Sequence, residues 1–470
     1  MKSIYNIRSI VSALMLLVAL GANAQSTQSS YFMESVGARS FLNPALRPSQ
    51  GYVGFPLLGN VYLDVKTNTF NLDHFTFHKG DAFLNFMDKE VTFDEFMKNI
   101  AEDNYASINF DYTLFSAGWY AGKGFYSFNV GIKSFTDVNV PKDFFGLMKG
   151  GFDAYNTKTY NLGDLNATGS TFLELGLGYS RTFLDDRLSV GIRGKFLTGV
   201  ANFDTNIQHF AIEAGEDRWK TQAEIYMHAS APGISAKYDE KGIFDEFDYD
   251  AKFNPAGYGG AVDLGVEYGL FFNRLKISAA VTDLGAVKWD KSNTVALRAK
   301  GEGEYDPSEI ITSFDSNNNG TPKLEDQLED QFNKLKEVAD LKEDPSVIES
   351  RTTRLRTNVL LGLEYEIISR KLSVGFLHTT RFATYQNVSE NTLSLNLQPM
   401  RWLGLTGSYS FNHSAYDAFG AAIHIAPPFG LNLFIAADYV TPHINSDFIP
   451  TTAKGTNIQV GLTIPIGKRR

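Results

Sequence analysis

The sequence contains no cysteine in 470 residues. That excludes a disulfide scaffold, a thiolate metal centre and a cysteine nucleophile. Positive charge is also short, with 43 Lys and Arg against 53 Asp and Glu and a net charge of −10. A sequence-independent nucleic-acid binder needs clustered cations, so nucleic acid is not an expected partner. Beyond the first two dozen residues, no window reaches the roughly 18 consecutive apolar residues of a transmembrane helix. The motifs G-x-S-x-G and H-E-x-x-H and the phosphate loop are absent as well. No enzyme and no cofactor are therefore expected. A barrel hydrolase built from residues distant in sequence stands as the outlying alternative. What the chain has in quantity is 41 Gly, 37 Phe and 22 Tyr, and their placement carries the reading.

Lys2 and Arg8 precede the apolar stretch Ile10 to Leu20, followed by Gly21-Ala22-Asn23-Ala24-Gln25. A charged start, a short apolar run and a small-x-small site read as a signal peptide over residues 1–24, cleaved after Ala24. With no cysteine behind the cleavage site there is no lipid anchor. An exported chain without a transmembrane helix is either soluble or an outer-membrane barrel.

A membrane strand alternates apolar-out with polar-or-glycine-in over about ten residues, with aromatics at its ends. Leu173, Leu175, Leu177 and Tyr179 share one face, opposite Glu174, Gly176 and Gly178. After Leu184-Asp185-Asp186-Arg187 the apolar face resumes at Leu188, Val190 and Ile192. The layout recurs at Val262, Leu264, Val266 and Tyr268, opposite Asp263, Gly265 and Glu267. It appears a third time at Val359, Leu361, Leu363 and Tyr365, opposite Gly362 and Glu364. Tyrosine beside a tight turn suits an interfacial girdle. Alternation by itself also fits a soluble sandwich, but segment lengths of ten to fourteen residues from Leu355 onward exceed the globular mode of about 5–6. Strand candidates at 51–58, 61–66, 108–119, 124–133, 171–181, 187–199, 221–229, 258–270 and 274–283 precede that dense region. Merging the short ones predicts an all-β transmembrane antiparallel barrel of about 14 strands over 51–470.

Long stretches at 67–107, 134–170, 200–256 and 284–354 read as external loops, because barrels keep short turns on the periplasmic side. Residues 80–104 carry Phe and Met near helical spacing, 141–151 read as a short helix after Pro141, and 324–341 read as a charged helix. Asp315, Asn317, Asn319 and Asp326 form a weak calcium-loop candidate, for which an Asn/Gly-rich surface turn is the favoured reading. His74 and His78 share a face on a strand reading without a third ligand, so surface histidines are the expectation rather than zinc.

Residues 25–50 are not strand-like, and Asn43-Pro44-Ala45 is a compact turn signal. This tripeptide soon after the leader, followed by about 14 strands, resembles the FadL/TodX-type long-chain fatty acid transporter superfamily. The nearest likeness is to its uncharacterised DUF-type Gram-negative barrels. The run Ser278 to Gly285, with Asp283-Leu284-Gly285 closing a strand, adds to the likeness. The resemblance implies that residues 25–50, with Asn43, Pro44 and Ala45, form an N-terminal plug or hatch in the lumen. PorV-like barrels are a second relative, and they serve protein secretion.

Glu174, Glu267 and Glu364 share the lumen face with Arg193, Lys195 and Lys276. They read either as a pore lining that selects solutes or as a salt-bridge network holding the barrel or its plug. Three functional readings follow. The first is passive transport of a small compound, with hydrophobic ones in range, through a plugged monomeric barrel set in outer-membrane lipid and lipopolysaccharide. The second is a scaffold for a surface or secretion complex, and the third is the hydrolase.

Overall fold

The computed structural model describes residues 27–468 apart from 55–59, 71, 80–81, 151–157, 215–217, 241, 251–253, 306–340, 345, 347, 349, 413–416, 428–429 and 441–454. The expected signal peptide, the calcium-loop candidate and nearly all of the 324–341 helix lie outside these residues.

The chain forms a closed antiparallel barrel of 14 strands. In chain order β1 has two arms, Gly51–Gly54 and Asn60–Thr67. It is followed by β2 (Asp103–Ala121), β3 (Gly124–Pro141), β4 (Asn166–Phe183), β5 (Leu188–Ala214), β6 (Gly257–Leu270) and β7 (Leu275–Trp289). The second half comprises β8 (Asn358–Ile368), β9 (Leu372–Arg381), β10 (Val388–Met400), β11 (Leu403–Asn412), β12 (Asp417–Ile425), β13 (Asn432–Val440) and β14 (Gly455–Ile466). Closure comes from β14 pairing with both arms of β1, Gly51 facing Ile466 and Val61 facing Val460. Closing the ladder leaves no edge strand whose backbone groups would need water, as hydrocarbon requires.

The alternation sets which face meets lipid. On β4, Leu175, Leu177 and Tyr179 are exposed outward, while Glu174 and Ser180 are buried inward. Aromatic rings cluster at both ends of the outer surface. Near the short turns, Trp119 stacks on Tyr126 at 5.9 Å and Tyr126 meets Tyr179 at 4.9 Å across β2, β3 and β4. At the other end Phe196 meets Tyr258 at 6.0 Å and Tyr409 meets Phe419 at 5.2 Å. An apolar belt between two aromatic girdles is the surface of an outer-membrane barrel.

Several strands outrun their alternation. β5 runs for 27 residues, well into the stretch that sequence leaves as loop. Above the lipid both faces of a strand meet water or protein, so the two-residue period stops marking it. There β5 pairs with Trp219–Ser230, which pairs in turn with Thr294–Tyr305. The 221–229 candidate thus belongs to this external sheet and not to the wall. Its own apolar core includes Trp219, Phe210, Ile212 and Leu297. Residues 72–97 fold as a helix Leu72–Phe75, a hairpin Thr76–Lys79/Ala82–Asn85 and a helix Phe93–Met97. This unit packs Phe86 and Phe96 against Phe145 of the helix Lys142–Gly150. His74 sits in the first of these helices and bonds the Thr69 carbonyl through Nδ1 at 2.7 Å.

Two irregularities shape the wall. In β7 the strand does not close at Asp283-Leu284-Gly285 but continues to Trp289. Asp283 instead adopts φ +57° at a bulge, and its N–H donates to Asp263 Oδ1 at 2.8 Å. A bulge re-aims side chains, and both carboxylates here turn inward. In β1 the register jumps. Val53 pairs with Ala117 and Asn60 with Thr113, so six residues of β1 separate pairs that three residues separate on β2.

Candidate functional site

Residues 27–48 lie inside the barrel and bond to its inner face. Asn43 shapes the turn: its Oδ1 accepts from the Ala45 N–H at 2.9 Å, as an Asx turn does. Its amide donates to the Tyr31 hydroxyl at 3.1 Å and to the Ala279 carbonyl at 3.4 Å. Pro44 and Ala45 rest on wall positions that carry no side chain. A Cβ at Gly191 would lie 2.3 Å from the Pro44 carbonyl carbon, and one at Gly265 would lie 2.0 Å from Asn43 Oδ1. Beside them Ser189 Oγ donates to the Ala45 carbonyl at 2.7 Å. The glycines that alternate with the apolar belt therefore form the bed of the Asn-Pro-Ala turn.

Further bonds fix the rest of the segment. The fully buried Tyr31 joins its hydroxyl to that of Ser278 at 2.9 Å, and burial raises its pKa. Thr27 N–H donates to Gln459 Oε1 at 2.9 Å, and Gln28 N–H to Asp438 Oδ2 at 2.7 Å. Ser35 Oγ meets His424 Nδ1 at 2.8 Å. That serine–histidine pair ties the segment to β12. Half-exposed Glu34 pairs with Lys276 at 2.6 Å, and the Lys276 ammonium holds the Glu34 carboxyl down at about 2.

Above the segment the lumen is charged. Lys133 approaches Glu174 at 3.1 Å and Asp283 at 3.5 Å, and Lys195 approaches Asp263 at 2.8 Å and Asp283 at 2.7 Å. Arg193 reaches Asp263 at 3.8 Å and places its guanidinium 4.5 Å from the Phe41 ring of the segment. Glu364 accepts from Ser373 Oγ at 2.7 Å and lies 3.8 Å from Lys276. Glu267 faces Arg39 and Lys276 at longer range. All six charges read from sequence thus face the interior, in two groups. Glu174, Arg193 and Lys195 join the mid-lumen network, while Glu267, Lys276 and Glu364 surround the segment.

Three further ion pairs cross the lumen. Arg381 on β9 meets Asp64 on β1 at 2.6 Å. Arg356, just before β8, grips Asp137 on β3 through Nε at 3.1 Å and Nη2 at 2.7 Å. Lys66 on β1 meets Glu390 on β10 at 3.3 Å. Sequence reasoning passes over these residues. Their lumen parity is visible along each strand, but their pairing depends on which strands oppose one another across the ring.

Between segment and wall runs a cleft lined by Phe41, Asn60, Asp111, Thr113, Lys133 and Glu174. Asn60 and Thr113 are the first pair after the register jump in β1. Among the described residues no group of three His, Asp or Glu is placed to hold a metal ion.

The fold is similar to that of several solved barrels. The toluene transporter TodX of P. putida is 10% identical with a TM-score of 0.43, the match covering 92% of this chain and 95% of that one. For the toluene transporter TbuX of Ralstonia pickettii the figures are 10%, 0.40, 93% and 94%. A FadL homologue of Pseudomonas aeruginosa gives 9%, 0.41, 91% and 94%. No curated protein matches the sequence. The model of the family described as "Family of unknown function (DUF5723)" matches residues 44–438, and the chain belongs to that family.

Proposed function

We propose that this barrel carries a small compound passively across the outer membrane, and that residues 27–48 are its plug. Opening is a local rearrangement between the plug and the interrupted first strand. The observation that carries this reading is the register jump in β1. It stands where the wall meets the cleft beside Phe41. The plug is held by side-chain hydrogen bonds, one ion pair and the glycine bed rather than by strand pairing, so it can shift without opening the barrel.

The chain has no cysteine, so an engineered pair reports on the plug alone. A Cβ at Gly404 would lie 3.7 Å from Ser35 Oγ, within reach of a disulfide in the variant Ser35→Cys with Gly404→Cys. In proteoliposomes, oxidation is expected to stop uptake of a small solute and reduction to restore it. Equal uptake in both states would overturn the reading. A second reading, the scaffold for a surface or secretion complex, draws on the external sheet with its own core. Absence of uptake in either state would favour it.

A further inference from the structure

The three pairs that cross the lumen form a bar above the plug. Their strands stand at least five apart around the ring, so each pair is a chord of the barrel rather than a neighbour contact. Asn109 joins the first two chords, and Tyr439 braces the third. Asn109 donates to Asp64 Oδ2 at 2.9 Å and accepts from Arg356. Lys66 lies 4.6 Å from the Tyr439 ring, and the Tyr439 hydroxyl donates to Glu390 at 2.6 Å. Asp64, Arg356, Lys66 and Glu390 are all buried. Clefts lie on both sides of the bar, and both include Arg381. One, lined by Tyr105, Ala383 and Tyr385, faces the long loops. The other, lined by Asp283, Asn358 and the plug residues Phe41 and Leu42, lies against the plug.

Arg381 lines both clefts, so a molecule that moves from one to the other past Arg381 parts it from Asp64. An uncharged molecule would leave a guanidinium and a carboxylate buried and unpartnered, which is strongly unfavourable. A molecule bearing its own carboxylate and its own cation replaces both lost partners. Beside Asp283 stands Lys133, which also meets Glu174, so both signs again lie together.

Resting on the transport reading above, we infer that the bar formed by Asp64–Arg381, Asp137–Arg356 and Lys66–Glu390 is a binding site for small zwitterions, of the size of an amino acid or dipeptide. It sets which compounds reach the plug.

The test compares swelling of proteoliposomes holding the full processed chain in diglycine and in N-acetylglycinamide, an uncharged molecule of similar size. Diglycine is expected to enter about tenfold faster or more, since only it can replace a parted buried pair. In the double variant Asp64→Asn with Arg381→Gln, which keeps shape and removes both charges, that preference is expected to fall severalfold. A gel shift between unheated and heated samples verifies that the variant is folded. Equal entry of the two solutes into wild-type vesicles, or an unchanged preference in the folded variant, overturns the inference while leaving transport intact. Entry of neither solute, in wild type and in the reduced Ser35→Cys, Gly404→Cys protein alike, overturns the transport reading and the inference with it.

Discussion

Replacing Gly191 with Ala is expected to unseat residues 27–48, the plug of the proposal above, while leaving the wall intact. The new methyl would point inward, 2.3 Å from the Pro44 carbonyl carbon and oxygen and 2.6 Å from the Ala45 nitrogen. The obstruction is backbone, so no side chain can rotate away. Gly191 is absent from the residues of positive φ, so alanine suits its strand conformation and the strain falls on the contact alone. Overpacking of this kind costs about 1–3 kcal/mol. Loss of the Ser189 to Ala45 hydrogen bond at 2.7 Å adds about 1 kcal/mol. Together about 2–4 kcal/mol lowers the ratio of seated to unseated plug by roughly 30- to 1,000-fold. Hydrogen–deuterium exchange in detergent reads this directly. Peptides covering 28–48 should exchange faster by about that factor where exchange follows local opening, while peptides from β4 should not change. Unchanged protection of the plug would refute the glycine-bed argument. Equal acceleration in β4 would show that the substitution damages the barrel instead.

Three other perturbations follow from the same geometry. Glu34 has an ordinary carboxyl value of 4.5, lowered to about 2 when seated beside Lys276. Its contribution is therefore full above pH 4.5 and lost as pH falls towards 2, so plug protection should decline across that window and Glu34→Gln should flatten the decline. Phe272 is fully exposed at φ 59° in the β6–β7 turn, a region that disfavours bulky side chains by about 1–2 kcal/mol. Phe272→Asn should stabilise the barrel by about 1 kcal/mol in urea unfolding, and a loss of stability would contradict the strain argument. Leu177, outward and exposed on β4, should tolerate Arg poorly in lipid. The substitution costs up to about 2–4 kcal/mol depending on depth, and unfolding in vesicles that leaves Leu177→Arg equal to wild type would oppose a lipid-facing belt.

The lipid-facing part of this fold is legible in sequence because hydrocarbon imposes one rule on every strand. Leu175, Leu177 and Tyr179 must all be apolar or interfacial, whatever lies inside. Beyond the bilayer the rule lapses, which is why the upper half of β5 reads as loop and Trp219–Ser230 reads as a wall strand. The two arms of β1 read as two short strands because nothing local shows that Val53 and Asn60 belong to one rung of the ring. The turn at Asn43-Pro44-Ala45 is legible from its own chemistry, the side chain closing on the Ala45 N–H. Its bed is not, since Gly191 and Gly265 are far away in sequence and carry no side chain to announce a contact. The lumen charges divide in the same way. Glu174, Glu267 and Glu364 repeat at equivalent places in three hairpins and can be found by period. Asp64 and Arg381 meet only because β1 and β9 oppose each other across the ring, a fact about closure that no window of sequence contains.

The central claim is that lipid chains cover the outer belt, and the four tryptophans allow a direct measurement. Trp119 is exposed on the outer surface and Trp402 in the short turn after β10, whereas Trp219 and Trp289 are buried in protein. In vesicles with brominated acyl chains, part of the wild-type emission should be quenched, and the double variant Trp119→Phe, Trp402→Phe should lose that quenched part. Wild-type emission untouched by bromine, or equal quenching in the double variant, would contradict the account.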